Sequence, residues 1–248
     1  MSNILEIEKI DLARGGLQIL SQLTFNVREG HITSLIGPNG AGKTTAFNAI
    51  SGFMRADSGK IRFEGRNVAG MLPEKLTSMG LARTFQRVRG LPSLTVRDNL
   101  VIGALNRTNS VRKARERADE LLQALHLSEI ADSIASSLPI GTRKILEVGR
   151  VLSTKPKLVL LDEVMGGLGP TEVKIMVEFI RALPAQGVTV LLVEHHMEAV
   201  MSVSDRIIAI NRGKNLAEGT PAEIASHPDV IEAYLGGGVD DGIADAEA

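Results

Sequence analysis

Cysteine is absent from this chain, and so is any long apolar run. Without cysteine there is no disulfide framework and no thiolate metal site, which is natural for a protein of a reducing compartment. No apolar run approaches the roughly 20 residues that a membrane span needs, and the first nine residues lack the apolar core of a signal peptide. These absences predict a soluble protein, so that any role at a membrane comes through a partner.

An excess of charge of either sign is also missing. The chain carries 28 Lys and Arg residues against 29 Asp and Glu residues, a net charge of -1. There is no global basic footprint, which argues against a dedicated nucleic-acid binder. The length of 248 residues and the hydrophobic fraction of 44% predict a compact α/β unit, alone or with an inserted subdomain.

The most informative segment that is present is a glycine-rich loop. It matches the pattern Gly-x-x-x-x-Gly-Lys-[Ser/Thr], and its residues are Gly37, Pro38, Asn39, Gly40, Ala41, Gly42, Lys43, Thr44 and Thr45. Apolar residues 32–36 predict a strand that enters the loop, and residues 44–50 predict a helix that leaves it. In this context the backbone N–H groups and the helix dipole form a phosphate site.

The polar side chains of the same loop predict how it binds the phosphates and the metal ion. Lys43 is placed to reach the β- and γ-phosphates, and the Thr44 hydroxyl to ligate Mg²⁺. The glycines allow close approach of the backbone to phosphate, because they have no Cβ. The alternative is a chance glycine-rich turn, which the correct strand and helix flanks argue against. The loop therefore predicts binding of a nucleoside triphosphate with Mg²⁺.

Two carboxylates follow an apolar strand predicted over residues 158–161. In a parallel sheet, ligands gather at the carboxyl ends of strands, so Asp162 and Glu163 are expected beside the phosphate loop. Asp162 is the predicted Mg²⁺ ligand, and Glu163 is predicted to polarise the attacking water. The alternative for both is a solvated pair at a strand end.

Two further polar residues come at predicted strand ends. Gln86 ends a strand predicted over residues 81–85, where it is placed to sense Mg²⁺ or water. His195 follows a strand predicted over residues 188–193, where it is placed to hydrogen-bond the γ-phosphate. Taken alone, Gln86 is better interpreted as an exposed loop residue. The alternative for His195, as for its neighbour His196, is a surface or helix-capping residue.

The chain predicts a core interrupted by a helical insertion. Strand patterns stop near residue 88, and residues 111–127 carry apolar positions at helical spacing. We therefore predict a nucleotide-binding α/β core over residues 1–87 and 154–236, with a helical subdomain over residues 88–153. The glycine-rich and acidic residues 237–248 predict a disordered tail.

In this order, the loop, Gln86, the insertion, the Asp-Glu pair and His195 resemble an ABC-type ATPase, the nucleotide-binding subunit of a transporter. Residues 82–86, 217–221 and 230–236 are similar to the ATP-binding subunits of branched-chain amino acid importers. The resemblance implies a P-loop NTPase core with an antiparallel β edge and an inserted helical subdomain. It also implies Gln86, Glu163 and His195 as catalytic residues, and Thr44, Gln86 and Asp162 around Mg²⁺.

The same resemblance places two ligand contacts at positions where this chain departs from the family. The signature Leu-Ser-Gly-Gly-Gln becomes residues 138–142, before a helix predicted over residues 143–152. Pro139 lacks the hydroxyl and the N–H, Ile140 adds a Cβ, and Gly141 remains as a donor to the partner's nucleotide. Arg14 replaces the aromatic residue that usually stacks on adenine, and an arginine plane can stack there more weakly.

The expected function is ATP-driven import of branched-chain amino acids or similar small polar solutes. The resemblance implies integral membrane permease subunits and a second ATPase subunit as partners, identical or not, and a solute-binding protein indirectly. It implies a cytoplasmic protein at the inner face of the membrane, without a nucleic-acid partner. The alternative is a soluble ABC-type ATPase acting on nucleic acid or ribosomes, and a generic P-loop kinase is a third option.

Overall fold

The computed structural model describes residues 2–84 and 91–235. The strands are β1 (Asn3–Arg14), β2 (Leu17–Arg28), β3 (Ile32–Ile36), β4 (Ser58–Phe63), β5 (Arg66–Asn67), β6 (Leu81–Arg83), β7 (Leu158–Asp162), β8 (Thr189–Val193), β9 (Arg206–Asn211) and β10 (Lys214–Gly219). The helices are α1 (Lys43–Ile50), α2 (Pro73–Met79), α3 (Val96–Leu105), α4 (Val111–Ala124), α5 (Ile140–Ser153), α6 (Pro170–Ala182), α7 (Met197–Val203), α8 (Pro221–Ala225) and α9 (Pro228–Leu235).

An antiparallel sheet forms one edge of the fold, in the order β2-β1-β4-β5. β1 and β2 are joined by Gly15 and Gly16, which both have positive φ. A two-residue hairpin loop needs that conformation, and glycine adopts it without a steric cost. The predicted antiparallel edge is confirmed.

The second sheet carries the strand ends on which the predicted site depends. Its order is β10-β9-β3-β8-β7-β6, and every neighbouring pair is parallel except β10 with β9. β3, β7 and β8 are buried along their whole length, as is typical of strands covered on both faces. Because these strands run in the same direction, their carboxyl ends meet at one edge.

The side chains of the central strands alternate between two hydrophobic clusters. Leu158 and Leu160 of β7 pack with Phe47 of α1 and the antiparallel sheet. Val159 and Leu161 pack on the other face with α3, α4, α5 and α6. The central sheet is thus fixed from both sides, which holds its carboxyl edge in place.

Helices α3, α4 and α5 lie between β6 and β7 in the chain, as the spacing of apolar residues predicts. The Thr95 and Ser110 side chains cap α3 and α4, because a hydroxyl oxygen can accept from the free N–H groups of a first turn. The division at residues 88 and 153 into core and inserted subdomain stays a prediction. Within residues 2–84 and 91–235, no helix is both long and apolar enough to cross a membrane.

Two predicted bounds differ from the observed ones by two residues or more. α5 begins at Ile140 rather than at residue 143, because Pro139, with φ of -53°, serves as the N-cap and its carbonyl accepts from Arg143 N. The strand predicted over residues 81–85 is observed only as far as Arg83. Thr84 N still donates to Leu160 O, but Asp162 N donates to the Thr84 hydroxyl and not to a backbone carbonyl, and residue 85 lies outside the described residues. The predicted tail, residues 237–248, lies outside the described residues.

Candidate functional site

The phosphate loop connects β3 to α1 at the carboxyl edge of the parallel sheet. Gly40 and Gly42 have φ of 76° and 101°, which favours glycine. A Cβ at Gly37 would clash with the carbonyl oxygen of Ile210, and one at Gly42 would lie 2.8 Å from Leu20 Cδ2. The glycines at the two ends of the motif are therefore required by close packing as well as by backbone shape.

The Lys43 ammonium lies inside this loop. Its Nζ donates to the carbonyl oxygens of Gly37 at 2.6 Å and Pro38 at 3.0 Å, and the side chain is buried. Burial lowers the pKa of Lys43, and the nearby Glu163 carboxylate opposes that shift. A buried ammonium group that is held by two loop carbonyls is positioned to bind an anionic phosphate.

Asp162, the last residue of β7, forms a buried ion pair that the sequence did not predict. Arg83 Nη2 lies 2.7 Å from Asp162 Oδ2, and their side chains are 6% and 1% exposed. The Arg83 Nη1 donates to Asn48 Oδ1 at 2.7 Å and to Ser51 Oγ at 2.8 Å. Arg83 thus connects β6 and β7 to the helix that follows the phosphate loop.

The other Asp162 carboxylate oxygen suits a cation. Oδ1 is buried and has no hydrogen-bond partner among the described residues. Burial raises the pKa of Asp162, although the Arg83 hydrogen bond and charge pull it down. Carboxylate and hydroxyl oxygens are the donors that Mg²⁺ takes, so Asp162 and the exposed Thr44 fit the predicted ion chemically. No group of three or more His, Asp or Glu side chains is arranged for a metal within residues 2–84 and 91–235, so nucleotide phosphates and water would have to complete the shell.

Glu163 and His195 come together from the ends of β7 and β8. His195 Nε2 lies 2.9 Å from Glu163 Oε1, and both side chains are partly exposed. Glu163 has φ of 51°, a left-handed conformation that is uncommon for a residue with a side chain. Its amide donates to Val193 O at 2.9 Å, which holds the turn against β8. A strained, partly exposed acid paired with an imidazole is an arrangement suited to proton and water handling.

Glu194 is a second residue that sequence reasoning missed. Its carboxylate is buried and accepts from Met165 N at 2.6 Å and His195 N at 3.3 Å. Burial raises the pKa of Glu194, against the lowering effect of these amides. It therefore fixes the segments that carry Glu163 and His195. His196 does something different, since its Nδ1 accepts from Ala199 N and caps α7.

Arg14 is held by its own neighbourhood. Its Nη1 donates to Ala13 O at 2.6 Å and lies 3.5 Å from Asp57 Oδ1. Its Nη2 donates to Arg55 O at 3.0 Å. To stack on a base, the guanidinium would have to keep its plane free while making these contacts. Its role toward adenine stays a prediction.

The remaining predicted residues are a glycine in α5 and a glutamine. Gly141 is buried in the first turn of α5, where an added Cβ would clash with the Glu172 carboxylate. Ile140 beside it is 54% exposed. Gln86 lies outside the described residues, so its part in metal binding and catalysis stays a prediction.

Comparison with known proteins identifies the family of the chain. Residues 20–166 match the family model described as "ABC transporter". Residues 214–240 match the model described as "Branched-chain amino acid ATP-binding cassette transporter". The first match covers the phosphate loop, Asp162 and Glu163, and the second covers β10 and the C-terminal helices.

Curated relatives are similar over almost the whole chain. The "High-affinity branched-chain amino acid transport ATP-binding protein BraF" of Pseudomonas aeruginosa is 39% identical, over 94% of this chain and 98% of that protein. LivG of Escherichia coli, with the same description, is 38% identical over the same shares.

Solved structures agree in fold. The ATP-binding cassette MJ1267 of an ABC transporter superposes with a TM-score of 0.85 at 33% identity, over 94% of this chain and 99% of that one. Its ADP conformation gives a TM-score of 0.84 at 32% identity, over 95% of this chain and 100% of that one. The predicted resemblance and fold class are confirmed, and the chain belongs to the ABC transporter family as an ATP-binding ATPase subunit.

Proposed function

We propose that this chain binds ATP with Mg²⁺ at the carboxyl edge of its parallel sheet and hydrolyses it to energise import of branched-chain amino acids. The observation that carries the proposal is the meeting of three features at that edge. These are the loop around Lys43, the Asp162 carboxylate, and the Glu163–His195 pair at 2.9 Å.

In the proposed reaction the loop amides and Lys43 hold the β- and γ-phosphates. Thr44 and Asp162 would hold Mg²⁺, which would neutralise phosphate charge when bound. Glu194 keeps the two catalytic segments in register through its bonds to Met165 N and His195 N.

Glu163 is proposed to orient the attacking water and to accept its proton. The Glu163 carboxylate is close enough to Lys43 to raise the pKa of that lysine, which supports a position of Glu163 facing the phosphates. His195 holds the Glu163 carboxylate through Nε2 and would exchange that contact for the γ-phosphate when it is present. Gln86 is proposed to complete the sensing of Mg²⁺ and water.

The solute class rests on relatives. The similar bacterial proteins are described as branched-chain amino acid transport ATP-binding proteins, and the family model matched by residues 214–240 also names branched-chain amino acids. We infer that this chain serves the same class, at the inner face of the membrane, with integral membrane permease subunits and, indirectly, a solute-binding protein.

A second ATPase subunit is the remaining partner. Pro139 and Ile140 stand where a serine and a glycine usually grip the partner's nucleotide, and Ile140 is 54% exposed. Only Gly141 and the start of α5 remain as donors. We infer that this chain pairs with a different ATPase whose signature is intact.

Leucine uptake into vesicles tests this function. The chain is copurified with its permease, reconstituted with a solute-binding protein outside and Mg-ATP inside, and radiolabelled leucine is counted. Parent protein is expected to accumulate leucine only with ATP, and Glu163→Gln is expected to abolish uptake. Glu178→Gln on the exposed side of α6 is the matched control and is expected to transport normally. ATP-independent uptake, or fractionation of the chain with ribosomes instead of membranes, would refute the proposal.

A further inference from the structure

The C-terminal helix α9 reaches the first residue of the phosphate loop. The amide of Gly37 donates to the Tyr234 hydroxyl at 2.9 Å, across 197 positions of sequence. No motif or periodicity in the chain predicts that contact, and the catalytic scheme above does not use it.

The helix that presents Tyr234 is anchored directly behind the loop. Val230 of α9 is buried in a cluster with Ile36, which is the last residue of β3, and with Ala209 of β9. Tyr234 is therefore carried by a helix that is packed against the strand leading into the loop. Tyr234 is 40% exposed, and the partial burial of its phenol raises the pKa while the Gly37 amide partly offsets that shift, so the hydroxyl stays protonated at neutral pH.

Gly37 also joins the tyrosine to the phosphate-binding lysine. Its carbonyl accepts from Lys43 Nζ at 2.6 Å while its amide donates to Tyr234. The space on the side-chain side of Gly37 is closed by Ile210, since a Cβ added at Gly37 would clash with the Ile210 carbonyl oxygen. Lys43 and the Tyr234 hydroxyl are thus connected through a single residue, Gly37. When Lys43 exchanges the Gly37 carbonyl for a phosphate, the hydrogen bond between Gly37 and Tyr234 is the next contact to respond.

The geometry points to Tyr234 as a positioning residue of the nucleotide site, through which the C-terminal helix holds the phosphate loop ready and registers its occupancy. The inference rests on the proposed nucleotide binding. Without the hydroxyl, the Gly37 amide would lose its partner at a partly buried position, and the loop would have to find its phosphate-binding shape from a wider set of conformations.

The composition of the chain supplies a direct probe. Tyr234 is the only tyrosine and there is no tryptophan, so the near-ultraviolet emission of the unmodified protein comes from this one ring. Tyrosine emission responds to the hydrogen bond at its hydroxyl. Titration with Mg-ADP is expected to change the emission of the parent protein with the same midpoint that calorimetry gives for ADP binding. Lys43→Ala at the same ADP concentrations corrects for absorption by the nucleotide.

The matched variants are Tyr234→Phe, which removes only the hydroxyl, and Ile231→Ala at an exposed position of α9. Tyr234→Phe is expected to weaken ADP affinity about 5- to 10-fold, the tenfold limit being about 1.4 kcal/mol. Its kcat at saturating ATP should stay within about twofold, since no group that touches the reacting atoms is lost. Ile231→Ala is expected to keep the parent affinity.

Equal ADP affinity of Tyr234→Phe and the parent would overturn the inference, including when the variant melts at a lower temperature, because that is what a purely structural tyrosine predicts. If Tyr234→Phe does not fold, the parent titration decides: unchanged emission while calorimetry records binding would also overturn it. A parent protein that binds no ADP would refute the proposed function itself, which separates the two failures.

Discussion

Replacing Arg83 with methionine tests the buried charge arrangement beneath the nucleotide site. The change keeps most of the apolar volume and removes the guanidinium, which lies 2.7 Å from Asp162 Oδ2 and donates to Asn48 and Ser51. Asp162, 1% exposed, is then left as a buried charge without its counter-ion. Breaking such a pair from one side costs about 3–5 kcal/mol.

That cost converts to a large thermal shift. For a chain of this size each kcal/mol lowers the melting temperature by about 2–4 °C, so Arg83→Met is expected to melt roughly 6–20 °C below the parent. Arg83→Lys should recover only part of the loss, because an ammonium cannot reach three acceptors with the geometry of a fork. Arg115→Met at an exposed position of α4 is the control and should melt within about 1 °C of the parent.

The pH dependence has a defined sign. Burial raises the pKa of Asp162 and Arg83 lowers it, so the variant raises that pKa further. A carboxyl whose folded pKa is raised favours the folded state when it is protonated, and that benefit is lost as pH rises through the folded pKa. The stability gap between Arg83→Met and the parent is therefore largest at neutral pH and shrinks as pH falls.

Denaturant unfolding of the nucleotide-free protein measures both effects, and Asp162→Asn completes a double-mutant cycle. With the carboxylate gone, adding Arg83→Met should cost far less than it does in the parent. Arg83→Met within about 1 kcal/mol of the parent at neutral pH, or additive losses in the cycle, would refute the assigned ion pair.

Three further changes test the loop and the partner. Lys43→Ala should weaken ATP binding roughly 10- to 100-fold in calorimetry, by loss of a charge-assisted contact, whereas Lys60→Ala at an exposed position should not. Equal ATP affinities of Lys43→Ala and the parent would contradict the assignment of the phosphate loop. Gly37→Ala should lower the free energy of unfolding by about 1–3 kcal/mol, because its Cβ clashes with Ile210 O. An unfolding curve like that of the parent would show that the loop can rearrange to accept a Cβ. The Glu163→Gln variant with Mg-ATP should sediment as a monomer until a second ATPase with an intact signature is added, and a stable homodimer at micromolar protein would contradict the heterodimer.

The sequence predicted local structure well where two signals coincided. β3 has the bounds expected from its apolar run, and α1 begins one residue before its expected start, because the glycine motif fixes both sides of the loop. α4 buries Ala114, Ala118, Leu121 and Leu122 as its helical spacing predicts. The meeting of Glu163 with His195 follows from the parallel direction of β7 and β8.

Contacts between distant residues could not be predicted in the same way. Arg83 and Asp162 are 79 positions apart and Gly37 and Tyr234 are 197 apart, and no periodicity within one element brings them together. The start of α5 was missed for another reason. The resemblance treats residues 138–142 as a loop before the helix, whereas the fixed φ of Pro139 and its extended ψ suit the residue that directly precedes a helix.

ATP turnover by Glu163→Gln in the assembled membrane complex, with ATP binding measured on the same sample, tests the central claim most directly. The claim is that Glu163, whose Oε1 lies 2.9 Å from His195 Nε2, activates water beside the phosphate loop. The variant is expected to keep the parent affinity for ATP and to release phosphate at least about 100-fold more slowly than the parent. Phosphate release at the parent rate, with ATP binding intact, would contradict the account.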